Sequence, residues 1–207
     1  MTPLTSRILL VVPFVLLTSC TSEAPKEAPK AKVEEKPEAI TGRSAFFKMY
    51  PSARQWAADC KPIQLTSIQM AEVPAEPGKA GAWRCIFTSE SKSMMKTFLW
   101  SAVDAEGGYR KGSWGGTEES FRGRLGQAIP FYVQALQHDS DEAYKEALTK
   151  EDAYFKSGSK DPVNFLLEFT PRYPNLAWRV LWGETVGTAR YSAFVDASTG
   201  KFLEKGR

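Results

Sequence analysis

The sequence predicts an α+β fold of two repeated units, each a helix covering a three-stranded antiparallel sheet, behind a signal peptide and a disordered tether. Three observations predict it. Residues 177–200, AWRVLWGETVGTARYSAFVDASTG, have an upstream counterpart at 82–104, AWRCIFTSESKSMMKTFLWSAVD. The Ala-Trp-Arg openings lie 95 residues apart and the Val-Asp-Ala closings 92, a difference that a hairpin loop absorbs. In both stretches one set of apolar residues recurs with the period of two that marks a strand with one buried face, alternating in the second with Arg179 and Leu181 and then with Ser192 and Phe194. In the second, Trp178, Val180 and Trp182 share a face, then Tyr191, Ala193 and Val195. In the first, Trp83, Cys85 and Phe87 fall in the matching places, followed by Leu99, Ser101 and Val103. Finally, an amphipathic segment precedes each hairpin and supplies the cover that a small sheet needs.

Taken in order, the chain begins with Arg7 and an apolar run, residues 8–17, broken by Pro13. About ten residues are too few to cross a ~30 Å bilayer as a helix, but they suit the core of a signal peptide. The run ends Leu17-Thr18-Ser19-Cys20, which resembles the lipobox of bacterial lipoproteins. That resemblance implies cleavage after residue 19 (signal peptide 1–19), lipidation of Cys20, and an extracytoplasmic protein held to the membrane of a bacterial envelope by its acyl chains. Residues 20–40 then form a spacer of Ala, Pro, Lys and Glu with no large aromatic, too poor in apolar surface to fold. As a coil it reaches roughly 25 Å. Its four Lys and five Glu nearly cancel, and the whole chain carries only +3, so no nucleic-acid partner is expected.

The first unit is expected at 41–118. Phe46, Met49, Tyr50, Ala53 and Trp56 recur at helical spacing over 44–57, with Pro51 expected to kink or restart the helix. Residues 63–70 read as a strand, 74–81 as a loop, and the hairpin runs on to a glycine-rich end at 112–116. The second unit is expected at 119–207. Residues 122–127 read as irregular and 131–136 as a strand or a short helix, the strand being favoured. Asp139-Ser-Asp-Glu142 starts a helix, its Asp or Ser oxygen capping free amides and Glu142 favouring the positive dipole end. Tyr144, Ala147, Leu148 and Phe155 line its face as far as Gly158. A strand at 163–169, a break at 171–174, the second hairpin and a short strand at 201–203 complete the unit. Asp196-Ala-Ser-Thr-Gly200 is a reverse turn, since Asp bonds the backbone two residues on and Gly accepts positive φ.

The helix start 139–143, the strand Trp178-Arg-Val-Leu-Trp182 and the stretch YSAFVDASTGKFL at 191–203 together resemble the PepSY domain family. The first unit matches through its hairpin alone, with Asp104-Ala-Glu-Gly107 where a Thr-Gly turn belongs. The resemblance implies an extracytoplasmic protein that binds or restrains other proteins, peptidases among them, and it brings no catalytic residues.

The chemistry points the same way. His138 is the one histidine, and no Ser lies in a Gly-x-Ser-x-Gly elbow, so no hydrolytic triad is expected. One His and two remaining Cys make no zinc pattern, and no phosphate-binding glycine motif is present, so no metal or cofactor is expected. With Cys20 lipidated, Cys60 and Cys85 are the only pair left in an oxidising compartment and form a candidate disulfide of ~3 kcal/mol. The alternative is two buried thiols, Cys85 filling the place of Val180. Trp114, on a glycine-flanked segment, either covers the core or is a candidate contact for a partner. The reading is a non-enzymatic lipoprotein that binds a protein or peptide; the alternative is an envelope carrier of lipid or another small ligand.

Overall fold

The computed structural model describes residues 36–150, 153–158 and 160–206; Cys20, the signal segment and the tether up to residue 35 lie outside the described residues. The elements run β1 (Ile40–Thr41), α1 (Gly42–Trp56), β2 (Lys61–Ile68), β3 (Lys79–Ala80), β4 (Ala82–Ser89), β5 (Met94–Ser101) and β6 (Gly112–Ser120). A 3₁₀ turn (Val133–Ala135) follows, then α2 (Ser140–Leu148), α3 (Ala153–Lys156), β7 (Val163–Glu168), β8 (Ala177–Trp182), β9 (Tyr191–Asp196) and β10 (Phe202–Lys205).

The expected pair of helix-plus-three-strand units is not what forms. Eight strands make one antiparallel sheet in the order β10-β9-β8-β7-β2-β4-β5-β6, while β1 and β3 pair separately. The seam is β2 against β7, with Gln64 opposite Glu168, Leu65 opposite Leu167 and Thr66 opposite Leu166. Each side of that seam carries four strands, because the glycine-rich segment 112–116 opens β6 and pairs along β5. Leu65 and Leu167, fully buried at the seam, continue one core across it, which two separate sheets would expose.

Three local expectations also change. Pro51 neither ends nor restarts α1, which runs unbroken through it. Its ring is on the exposed side, where the Phe47 carbonyl it leaves unpaired can be hydrated. Residues 131–136 contain the 3₁₀ turn instead of a strand. The backbone N–H groups of Gln137 and His138 both donate to the Ala197 carbonyl, holding the segment over the sheet, outside its ladder. The helix expected from 139 to 158 is two, α2 and α3.

The core lies between the sheet and the helices. Trp83, Cys85 and Phe87 on β4 and Trp178, Val180 and Trp182 on β8 all face it, with Phe46, Met49 and Phe165 among them. Fully burying one such large side chain contributes ~1.5–3 kcal/mol. Trp83 and Trp178 meet edge to face with ring centroids 6.3 Å apart. Each buried indole keeps its N–H bonded, Trp83 to the Ile40 carbonyl and Trp178 to the His138 carbonyl, both at 2.9 Å.

Above this pair the two helices share one cap. Thr41 at the head of α1 makes no side-chain capping bond. Instead the Gly42 N–H donates to Ser140 Oγ at 2.9 Å and the Arg43 N–H to Asp139 Oδ1 at 2.8 Å. The same Asp139 oxygen accepts the Ser140 N–H at 2.6 Å, so one carboxylate serves the first amides of both helices. Gly42 is required here, since a Cβ would lie 2.6 Å from the Trp178 ring.

Candidate functional site

The residues singled out by chemistry fall in different places. His138 Nδ1 lies 2.6 Å from Glu142 Oε2, one helical turn away, and its ring backs against Gly200 in the turn after β9. That turn forms as Asp196 Oδ1 accepts the N–H groups of Ser198 and Thr199. Among the described residues, no group of three or more His, Cys, Asp or Glu is placed to hold a metal ion.

Cys60, just after α1, and Cys85, in β4, are both buried and held as free thiols, not bridged. Burial pushes both thiols up, Cys85 well above its ordinary range, with the charge of Cys60 adding to it. For Cys60 the nearby Arg54 guanidinium opposes the effect of burial. Neither is an activated nucleophile.

Trp114 lies in β6, opposite Leu99 of β5, which is in turn opposite Arg84 of β4. Arg84 is exposed while its neighbours Trp83 and Cys85 are fully buried, so Arg84, Leu99 and Trp114 share the sheet face away from α1. Ser113 points the other way, its hydroxyl donating to the Lys48 carbonyl of α1. Trp114 is half-buried, edge-on to Tyr109 with centroids 6.4 Å apart.

The two halves of that outer face differ. Over β8 and β9, the Arg172 and Arg179 guanidinium groups each lie 4.9 Å from the centre of the Phe194 ring, and Tyr173 packs on the same ring. The Tyr173 hydroxyl donates to Glu204, locking β10 down. Over β4 to β6, Ile86, Leu99 and Trp114 remain half-exposed.

Comparison with family models, curated proteins and solved structures finds no match to this chain. Its site therefore rests on its own geometry.

That geometry offers a free edge. β6 is nine residues long and, among the described residues, is terminal in the sheet and pairs only with β5. Edge strands usually carry charges, bulges or prolines that discourage further pairing. β6 has these in its second half, where Gly116 and Thr117 together face Thr97 and where Glu118 and Glu119 follow. Its first half, Gly-Ser-Trp-Gly-Gly, has no charge. The opposite edge, β10, is four residues long. The strand was not legible because glycines hid it; Trp114 is the one large apolar residue in 112–120, so no apolar alternation arises.

Among the described residues, two clefts of 500 and 220 Å³ share Val133 and Gln134 and border one side of α1. A third cleft of 370 Å³ lies between Met70, Pro77, Tyr144 and Pro162.

Proposed function

We propose that this chain is a non-enzymatic lipoprotein of the bacterial envelope, anchored through Cys20, that binds or restrains an extended segment of a protein or peptide partner by strand addition to β6. The observation that carries the reading is the uncharged first half of β6, which is paired with β5 on its inner side and has no strand on its outer side among the described residues, with the half-exposed Trp114 within it. Main-chain pairing along about five residues forms a few hydrogen bonds of ~1 kcal/mol each, which is small against an association cost of ~4–15 kcal/mol. A side-chain anchor is therefore required, and Trp114, flanked by Leu99 and Tyr109, is the anchor on the open face. The resemblance of the second half to PepSY domains supports the same reading.

The test is site-specific photo-cross-linking of full-length protein in its native host, with the reactive residue at Gly116 and, as control, at the exposed Lys160. A single envelope protein joined from position 116, absent from position 160 and lost on Trp114→Ala, is the expected result. Equal adducts from both positions, or adducts only to a second copy of the chain, would refute strand addition to a partner.

A further inference from the structure

The clefts beside α1 carry an independent site. Arg43, Phe47, Tyr50 and Arg54 recur at i, i+4, i+7 and i+11, which places them in one stripe along a single side of the helix. The opposite wall is the segment around the 3₁₀ turn, with Tyr132, Val133, Gln134 and Leu136. Phe47 is 46% and Tyr132 70% exposed, two of the four large apolar side chains left open on the described surface.

The charges are one-sided. Among the described residues neither Arg43 nor Arg54 is in an ion pair; each guanidinium touches a backbone carbonyl, of Gln137 and Ala58 respectively. Arg43 also lies 5.8 Å from the centre of the Phe47 ring. The other ionic groups at the cleft are already engaged. Lys61 pairs with Glu90, and Asp59 accepts the Ser91 N–H and the Ser89 hydroxyl. Each arginine keeps several of its five donors for an incoming acceptor.

We propose that this groove docks a short extended acidic segment of a partner protein, with two carboxylate side chains four residues apart and an apolar side chain midway between them, all three on one face of the strand. The spacing follows from the helix. Eleven residues at 1.5 Å rise separate the arginine Cα atoms by about 16 Å. An extended strand at ~3.3 Å per residue covers about 13 Å of that in four residues, the separation that keeps both carboxylates on one face, and the long arginine side chains close the rest. The apolar residue then falls between Phe47, Tyr50 and Tyr132. A concave run between two walls suits a single chain, whereas a lipid surface needs a convex or flat face. This site stands apart from β6, so either can fail without the other.

The probe is a fluorescein-labelled peptide with Glu at its first and fifth positions and Leu at its third, titrated by anisotropy into purified full-length protein at low salt. An exposed charge–charge contact of ~1 kcal/mol corresponds to about fivefold in affinity. Arg43→Gln and Arg54→Gln are each expected to weaken binding about fivefold, and Phe47→Ser about tenfold or more. Arg84→Gln, on the other face, and Trp114→Ala leave it unchanged. All these side chains are at least partly exposed, so circular dichroism should show unchanged folding. Equal binding of the peptide with Lys in place of Glu would overturn the proposal, as would affinities indifferent to Arg43 and Arg54. Displacement of the peptide by phosphatidylglycerol vesicles, or a dimer abolished by Arg43→Gln, would assign the groove to a membrane or to a second copy and equally overturn it.

Discussion

Replacing Ser140 by alanine removes one oxygen and strands two buried partners. Ser140 Oγ accepts the Gly42 N–H at 2.9 Å and donates to the Gly78 carbonyl at 2.6 Å, and Ser140, Gly42 and Gly78 are all buried. Leaving a buried polar group unpaired costs ~1–3 kcal/mol, so two together cost about 3 kcal/mol once some relaxation is allowed. For a folded unit of this size each kcal/mol shifts Tm by ~2–4 °C, which places the loss at roughly 6–12 °C. Urea unfolding followed by tryptophan fluorescence should show a lower midpoint at unchanged slope, since the surface exposed on unfolding is the same. The exposed Ser157 changed to alanine serves as control. A Ser140→Ala protein within about 0.5 kcal/mol of the parent would refute the shared cap as a source of stability.

Two further outcomes follow from the buried and bonded groups. The Ser91 N–H, aided by the Ser89 hydroxyl, holds the Asp59 carboxyl down to about 2, below its ordinary 3.8. A depressed folded value means the stabilisation is present above the unfolded value and fades as pH falls from about 4 toward 2. The difference in Tm between the parent and Asp59→Asn should therefore shrink across that window, and a difference independent of pH would contradict it. In a Cys20→Ser protein, Cys60 and Cys85 should resist iodoacetamide in the native state and gain two labels on unfolding without reductant. Labelling that requires reductant would overturn the free-thiol form.

What could be read from residues alone was what has a short period. The strands β4, β8 and β9 announce themselves because Trp83, Cys85 and Phe87, and Trp178, Val180 and Trp182, recur every second residue under a helical cover. β5 is a strand as expected but one residue out of face, since Phe98 and Trp100 enter the core opposite Cys85 and Trp83 while Leu99, expected inside, lies opposite Arg84 on the outer face. The seam between β2 and β7 has no such signal. It joins segments some hundred residues apart, and Leu65 meets Leu167 only through the packing of the whole chain. The first half of β6 is hidden for the opposite reason, since Gly-Ser-Trp-Gly-Gly has weak strand propensity and is a strand because β5 lies beside it. Misplacing residues 131–136 in the sheet concealed the groove as well. Its far wall exists only because that segment leaves the ladder and passes beside α1. The near wall, Arg43 to Arg54, has helical spacing too, but the stronger apolar period of α1 belongs to its buried face, Phe46, Met49 and Ala53.

The cap shared by the two helices also bears on how the chain comes into being. Gly42 and its partner Ser140 are 98 residues apart. A polypeptide is made from its N-terminus, at ~5–20 residues per second. For several seconds, then, α1 exists without the groups that finish its first turn, and β2 exposes an edge that only β7 will cover. The N-terminal half is thus a waiting half, unable to close on its own account. Under the envelope location proposed above, that delay keeps the native state from forming until nearly all of the chain has been delivered.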